Sequence, residues 1–168
     1  MGDFQDHAPE WLLSLRNSYA IYNVLALRPE LPFWVIRYKG GRDLEWMELT
    51  DPRQRIKPFH FEIYFGKEDA RDEHYLRALR EAASTDEPVV QELFGFSDLF
   101  YRIPVDDEHP SFLYTGQFVR RQPEWATLAA QWQELTGLEP AGANPDFVRF
   151  IRMALQLPTI DSELLETV

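Results

Sequence analysis

The chain has 168 residues, 45% of them apolar and 14% aromatic, with 17 Lys and Arg against 28 Asp and Glu for a formal net charge of -11. That length suits one domain around one core, and the composition can offset chain entropy. The negative charge repels a phosphate backbone and argues against direct nucleic-acid contact. The absence of cysteine excludes disulfides, thiolate nucleophiles, iron–sulfur clusters and cysteine zinc sites.

Apolar runs such as Val24 to Leu27 fall far short of the ~20 residues that cross a bilayer, and no basic-then-apolar leader opens the chain. The expectation is one domain over residues 1–168, in a reducing cytoplasm, with no membrane association.

Trp11, Leu12, Leu15 and Tyr19 recur at helical spacing, so Ala8 to Tyr19 reads as an amphipathic helix. Residues 19–27 fit a helix or a short strand, and Arg28-Pro29-Glu30-Leu31-Pro32 breaks the pattern. Phe33 to Tyr38 and Asp43 to Leu49 then flank Gly40-Gly41, whose freedom at positive φ suits a two-residue hairpin turn. A turn centred on that pair sets Val35 opposite Trp46 and Trp34 opposite Met47.

Phe59, Phe61, Ile63 and Phe65 alternate with His60, Glu62 and Tyr64, which predicts a strand with one buried face. Lys67 to Ala83 reads as a charged helix with a modest apolar stripe of Ala70, Tyr75, Leu76, Leu79 and Ala82. After a short apolar patch at Val89 to Phe96, a second hairpin is expected from Leu99 to Val105 and Phe112 to Val119. Pro104 belongs at an edge or bulge, and Gly116 marks a bulge or a close approach by a neighbour.

Pro123 opens a helix with Trp125, Leu128, Trp132 and Leu135 on one face and Gly137 at its end. Asn144 and Pro145 cap a second, carrying Phe147, Phe150, Ile151, Ala154 and Leu155. Pro158 stops it, and Thr159 to Val168 reads as the start of a connector helix running off the chain end. The order lacks the strand–helix alternation of a parallel sheet, so the fold class is α+β, a mainly antiparallel sheet with helices packed on it.

Local signals for catalysis are weak. On one strand face His60 and Glu62 would form an acid–base pair suited to a small hydrolase or isomerase, though such a face is more often solvated. Asp72, Glu73 and His74 are adjacent on a helix and point apart, which disfavours a metal site. The acidic tip Asp106 to His109 lacks EF-hand spacing. No serine sits in a nucleophile elbow, and Gly40-Gly41 is not a phosphate loop. No catalytic residue, metal or cofactor is assigned.

The aromatic strands carry more information. Trp34, Tyr38, Trp46, Tyr64, Phe100, Phe112 and Tyr114 combine apolar bodies with, in Tyr and Trp, polar tips suited to a pocket. Arg37, Arg102 and Gln117 are the groups expected to orient a polar or anionic ligand among them.

The helix, the Gly-Gly hairpin, the alternating Phe59 to Phe65 segment, the acidic helix and the closing hairpin resemble the GAF/PAS-like sensory superfamily. Arg102-Ile103-Pro104-Val105, an acidic turn, then Phe112-Leu113-Tyr114-Thr115-Gly116-Gln117-Phe118 is similar to the hairpin of PocR-like sensory domains. The resemblance spans about residues 10 to 157. It implies a non-catalytic module of a bacterial signalling protein that binds a small molecule, dimerises through terminal helices and passes occupancy to an output. An acidic adaptor or inhibitor domain that docks a basic protein is the alternative.

Overall fold

The computed structural model describes residues 31–49, 57–103 and 109–161. Among these residues five strands form one antiparallel sheet: β1 (Phe33–Gly40), β2 (Asp43–Glu48), β3 (Val89–Leu93), β4 (Phe96–Ile103) and β5 (Ser111–Phe118), in the order β2-β1-β5-β4-β3. Between β2 and β3 the chain makes helices α1 (Pro58–Tyr64) and α2 (Glu68–Ala82); after β5 come α3 (Trp125–Thr136) and α4 (Pro145–Leu155). The α+β antiparallel class therefore holds. Among the described residues no helix is long and apolar enough to cross a membrane.

The core has three parts. On one sheet face Phe33, Val35, Leu99, Leu113 and Phe118 pack together with Leu31 and Ile160. On the other, Ile36, Phe100, Phe112 and Tyr114 meet Tyr75, Ala78, Leu79 and Ala82 of α2. At the end of the sheet α1, α3 and α4 close around Phe96, Trp132, Phe147 and Phe150, with ring pairs such as Trp132 and Phe150 at 5.5 Å.

The largest departure from the sequence reading is at Phe59 to Phe65, a helix rather than a strand. Its apolar residues satisfy two periods at once, and the tertiary contacts select the helical one. Pro58, Phe61 and Glu62 are the buried set, spaced i, i+3, i+4. Pro58 stands in the first turn, where its missing N–H is not needed. Two free donors of that helix start are taken up: Lys57 N–H donates to His60 Nδ1 at 3.0 Å and Phe59 N–H to Gln117 Oε1 at 2.8 Å.

The first hairpin is shifted by one residue from the expected register. Its turn residues are Gly41 and Arg42, Gly40 pairs with Asp43, and an irregularity between Tyr38 and Gly40 sets Val35 opposite Met47 and Ile36 opposite Trp46. Gly40 and Gly41 both adopt positive φ, at 112° and 60°, so the turn uses the pair as expected but begins one residue later.

The apolar patch at 89–96 is a hairpin of its own, β3 to β4, turning on Phe94 and Gly95 with φ of 51° and 76°. Two consecutive positive φ angles suit a two-residue hairpin turn. Gly137 ends α3 in the left-handed conformation, and Asn144 caps α4 by accepting from Asp146 N–H and Phe147 N–H. Thr159 forms a parallel bridge with Val119 rather than a helical turn. Ile160 joins the core instead of a helix, and the helix expected at Ala8 to Tyr19 and residues 162–168 of the connector lie outside the described residues.

Candidate functional site

Between the sheet and the pair α1–α2 lies an open cavity of about 970 Å³, at the upper end of the range for small-molecule sites. Trp34 of β1, Leu44 and Trp46 of β2, and Tyr114, Gly116 and Gln117 of β5 form the sheet wall. Phe59, His60, Glu62 and Ile63 of α1 and Arg71, Tyr75 and Leu76 of α2 form the helical wall. Trp46 lies edge-on to Tyr75 and Tyr114, with centroids at 5.1 and 5.5 Å, and Trp34 sits 5.5 Å from Tyr114. Lys57, at the entry to α1, holds its Nζ over the Trp34 ring, 4.2 Å from the centroid.

Beneath this aromatic wall is a buried polar cluster. Arg71 is 2% exposed, Glu62 1% and Asp98 0%. Arg71 donates through Nε and Nη2 to the two carboxylate oxygens of Glu62, both at 2.5 Å, and through Nη1 to Asp98 Oδ2. His74 Nε2 meets the same Asp98 oxygen at 2.9 Å, and the Tyr114 hydroxyl donates to Asp98 Oδ1 at 2.7 Å. Gln117 Nε2 donates to Glu62 Oε1 at 2.8 Å. One arginine thus ties α1, α2 and β4 together, and Gln117 adds β5.

The electrostatics follow from burial and pairing. Burial disfavours the charge of Arg71, but its hydrogen bonds with Glu62 and the field of Asp98 outweigh this and fix it as a cation. Burial pushes the phenols of Tyr75 and Tyr114 well above the usual range, and the Asp98 carboxylate adds to the shift. Lys57 moves the opposite way: burial lowers it to about 8, with Glu48 offsetting part of the effect.

The local geometry of β5 makes the cluster possible. Register slips by one between Ser97 and Asp98, so Asp98 faces Gly116 and Ser97 faces Phe118, leaving Gln117 as the extra residue of a bulge. Gln117 is thereby aimed at α1. Gly116 has both properties considered for it, since an added Cβ would lie 2.1 Å from Asp98 Oδ1 and 2.7 Å from the Tyr114 hydroxyl.

Of the residues singled out from sequence, Trp34, Trp46, Tyr114 and Gln117 come together on this cavity. Phe100 and Phe112 are core residues beneath it, and Tyr38 packs against the same core without lining the cavity. Arg37 alternates onto the opposite sheet face with Phe33 and Val35. Arg102 is exposed and donates to the Ala83 carbonyl at 3.2 Å. Tyr64 is 71% exposed on α1 and outside the lining.

His60 and Glu62 share no strand face, because the segment is helical; Glu62 is bound by Arg71 and Gln117, whereas His60 accepts from the Lys57 amide. Among the described residues no group of three or more acidic or histidine side chains is placed to hold a metal ion.

Lys57, Phe59, Arg71 and Asp98 were not singled out from sequence as site residues. Arg71 and His74 did carry a signal, for they fall on the buried stripe of α2 with Tyr75, Ala78 and Leu79. A charge on a core-facing stripe demands a buried partner. Asp98, between Phe96 and Phe100 on one face of β4, is that partner. No protein-family model, curated protein or solved structure matches the chain.

Proposed function

We propose that this is a small-molecule-binding sensory domain of GAF/PAS-like type, acting by binding rather than by turnover. The observation that carries the reading is the cavity of about 970 Å³, walled by aromatic rings over a charge cluster whose members bind one another. A largely apolar lining with a few placed polar groups is the form of a ligand site. Of the elements that carry the resemblance, the antiparallel sheet, the acidic helix and the strands of the closing hairpin are present, Phe59 to Phe65 is helical instead, and the N-terminal helix lies outside the described residues.

The wiring supports a sensor. A ligand resting on Phe59 and Ile63 would press on α1, which is joined to α2 and β4 through Glu62, Arg71 and Asp98. Occupancy would then bias the packing of α1 against the sheet. Output through terminal helices and dimerisation, the remaining parts of the proposal, concern segments outside the described residues. The cavity favours this reading over an acidic adaptor, which needs no pocket.

A thermal-shift screen of the full chain against small apolar metabolites tests it, because a ligand of the native state raises Tm by mass action. Hits should stabilise the wild type and lose their effect in Ile63→Trp, which fills the cavity mouth. Hits that stabilise both proteins equally would place binding elsewhere.

A further inference from the structure

We propose that the cavity selects an apolar monocarboxylate, with Lys57 receiving the carboxylate and Trp34, Trp46 and Phe59 holding the apolar body. The inference rests on the binding reading above and specifies the chemistry of its ligand.

Charges on the lining are paired unevenly. Arg71 is already paired with both Glu62 and Asp98. Arg42 is exposed at the rim and 3.8 Å from Asp69. Glu68 and Asp72, the acidic residues on the α2 side, are exposed and keep their water. Lys57 differs from all of these. It is partly buried, faces the cavity, and among the described residues forms no ion pair, its ammonium resting on the Trp34 face.

A half-desolvated cation beside an apolar wall is best relieved by an anion that brings its own apolar surface. The depressed pKa of Lys57 reports the same unrelieved desolvation, with Glu48 supplying only part of the compensation. A cationic ligand would meet an ammonium already lying on Trp34. A phosphate dianion would leave one charge unmatched in a chain whose net charge is -11. A single carboxylate matches Lys57, the one cation on the lining without an ion pair among the described residues.

Calorimetric titration of the full chain with three probes of one shape tests this: 1-naphthoate, 1-naphthylmethanol and 1-naphthylmethylammonium. Wild type should prefer the carboxylate over the alcohol by about tenfold or more. Lys57→Met should abolish the preference while still binding the alcohol, and Lys57→Arg should retain it. Equal or tighter binding of the alcohol or the ammonium by wild type would overturn the carboxylate assignment and leave the cavity reading standing. A preference that persists in Lys57→Met would overturn the role of Lys57. Failure of all three probes at millimolar concentration would overturn both readings.

Discussion

Gly116 faces Asp98 across the β4–β5 ladder with no room for a Cβ, which would lie 2.1 Å from the carboxylate oxygen. Asp98 cannot retreat, because Arg71, His74 and Tyr114 all hold it. Gly116→Ala should therefore destabilise the protein by about 1–3 kcal/mol through overpacking. Urea unfolding would register this as a lower midpoint at unchanged slope.

Removing the shared cation should be more severe. Arg71→Met leaves Glu62 and Asp98 as buried carboxylates without their partner, a loss of about 3–5 kcal/mol. Adding Glu62→Gln should recover part of it, so that a double-mutant cycle gives a coupling of at least about 1 kcal/mol. Strict additivity in that cycle would show that the pair does not interact as described.

Lys57 should work against stability in the unliganded protein. Its folded pKa is about 8 against an ordinary 10.5, set by burial with Glu48 offsetting part. Between these values the unfolded chain binds more protons, so the contribution of Lys57 to stability rises with pH across that window and is least favourable below it. Glu48 on β2 is the charged group that acts on it among the described residues, and it only reduces the shift without changing its sign. With solvent screening the penalty is roughly 1 kcal/mol. Lys57→Met should raise Tm by about 2–4 °C at neutral pH, with the gain shrinking toward pH 10.

The two buried phenols oppose this at higher pH. Burial and Asp98 raise Tyr75 and Tyr114 above their ordinary 10.0. Both therefore stay protonated in the folded state while unfolded tyrosines ionise, so their contribution to stability is intact below pH 10 and is lost as pH rises beyond it. A phenolate absorbance titration should show Tyr75 and Tyr114 ionising only on unfolding, and Tyr114→Phe should reduce that late-ionising group by one.

Elements with a single dominant signal were legible in the sequence. Gly137 and Asn144 bounded α3 and α4 because a left-handed stop and an N-cap are local requirements. The Phe59 to Phe65 segment was not, because its apolar residues fit period 2 as well as i, i+4, and the choice is made by distant partners: the core around Phe61 and the bonds with Gln117 and Arg71. The hairpin register depended on where a Gly-Gly turn begins, which composition does not distinguish. Trp34, Trp46, Tyr114 and Gln117 were visible as aromatic and polar residues on strands. Arg37 alternates with Trp34 and Tyr38 along β1, so strand periodicity alone puts it on the opposite sheet face.

Everything proposed for this domain depends on a small molecule binding between Trp34, Trp46 and α1. Indole N–H resonances offer the most direct measurement, since Trp34 and Trp46 line the cavity whereas Trp125 and Trp132 lie outside it. Titrating the isotope-labelled chain with 1-naphthoate should shift the Trp34 and Trp46 indoles in a saturable manner and leave Trp125 and Trp132 unmoved. Saturable shifts confined to Trp125 or Trp132, or none at all at millimolar ligand, would rule out binding in this cavity.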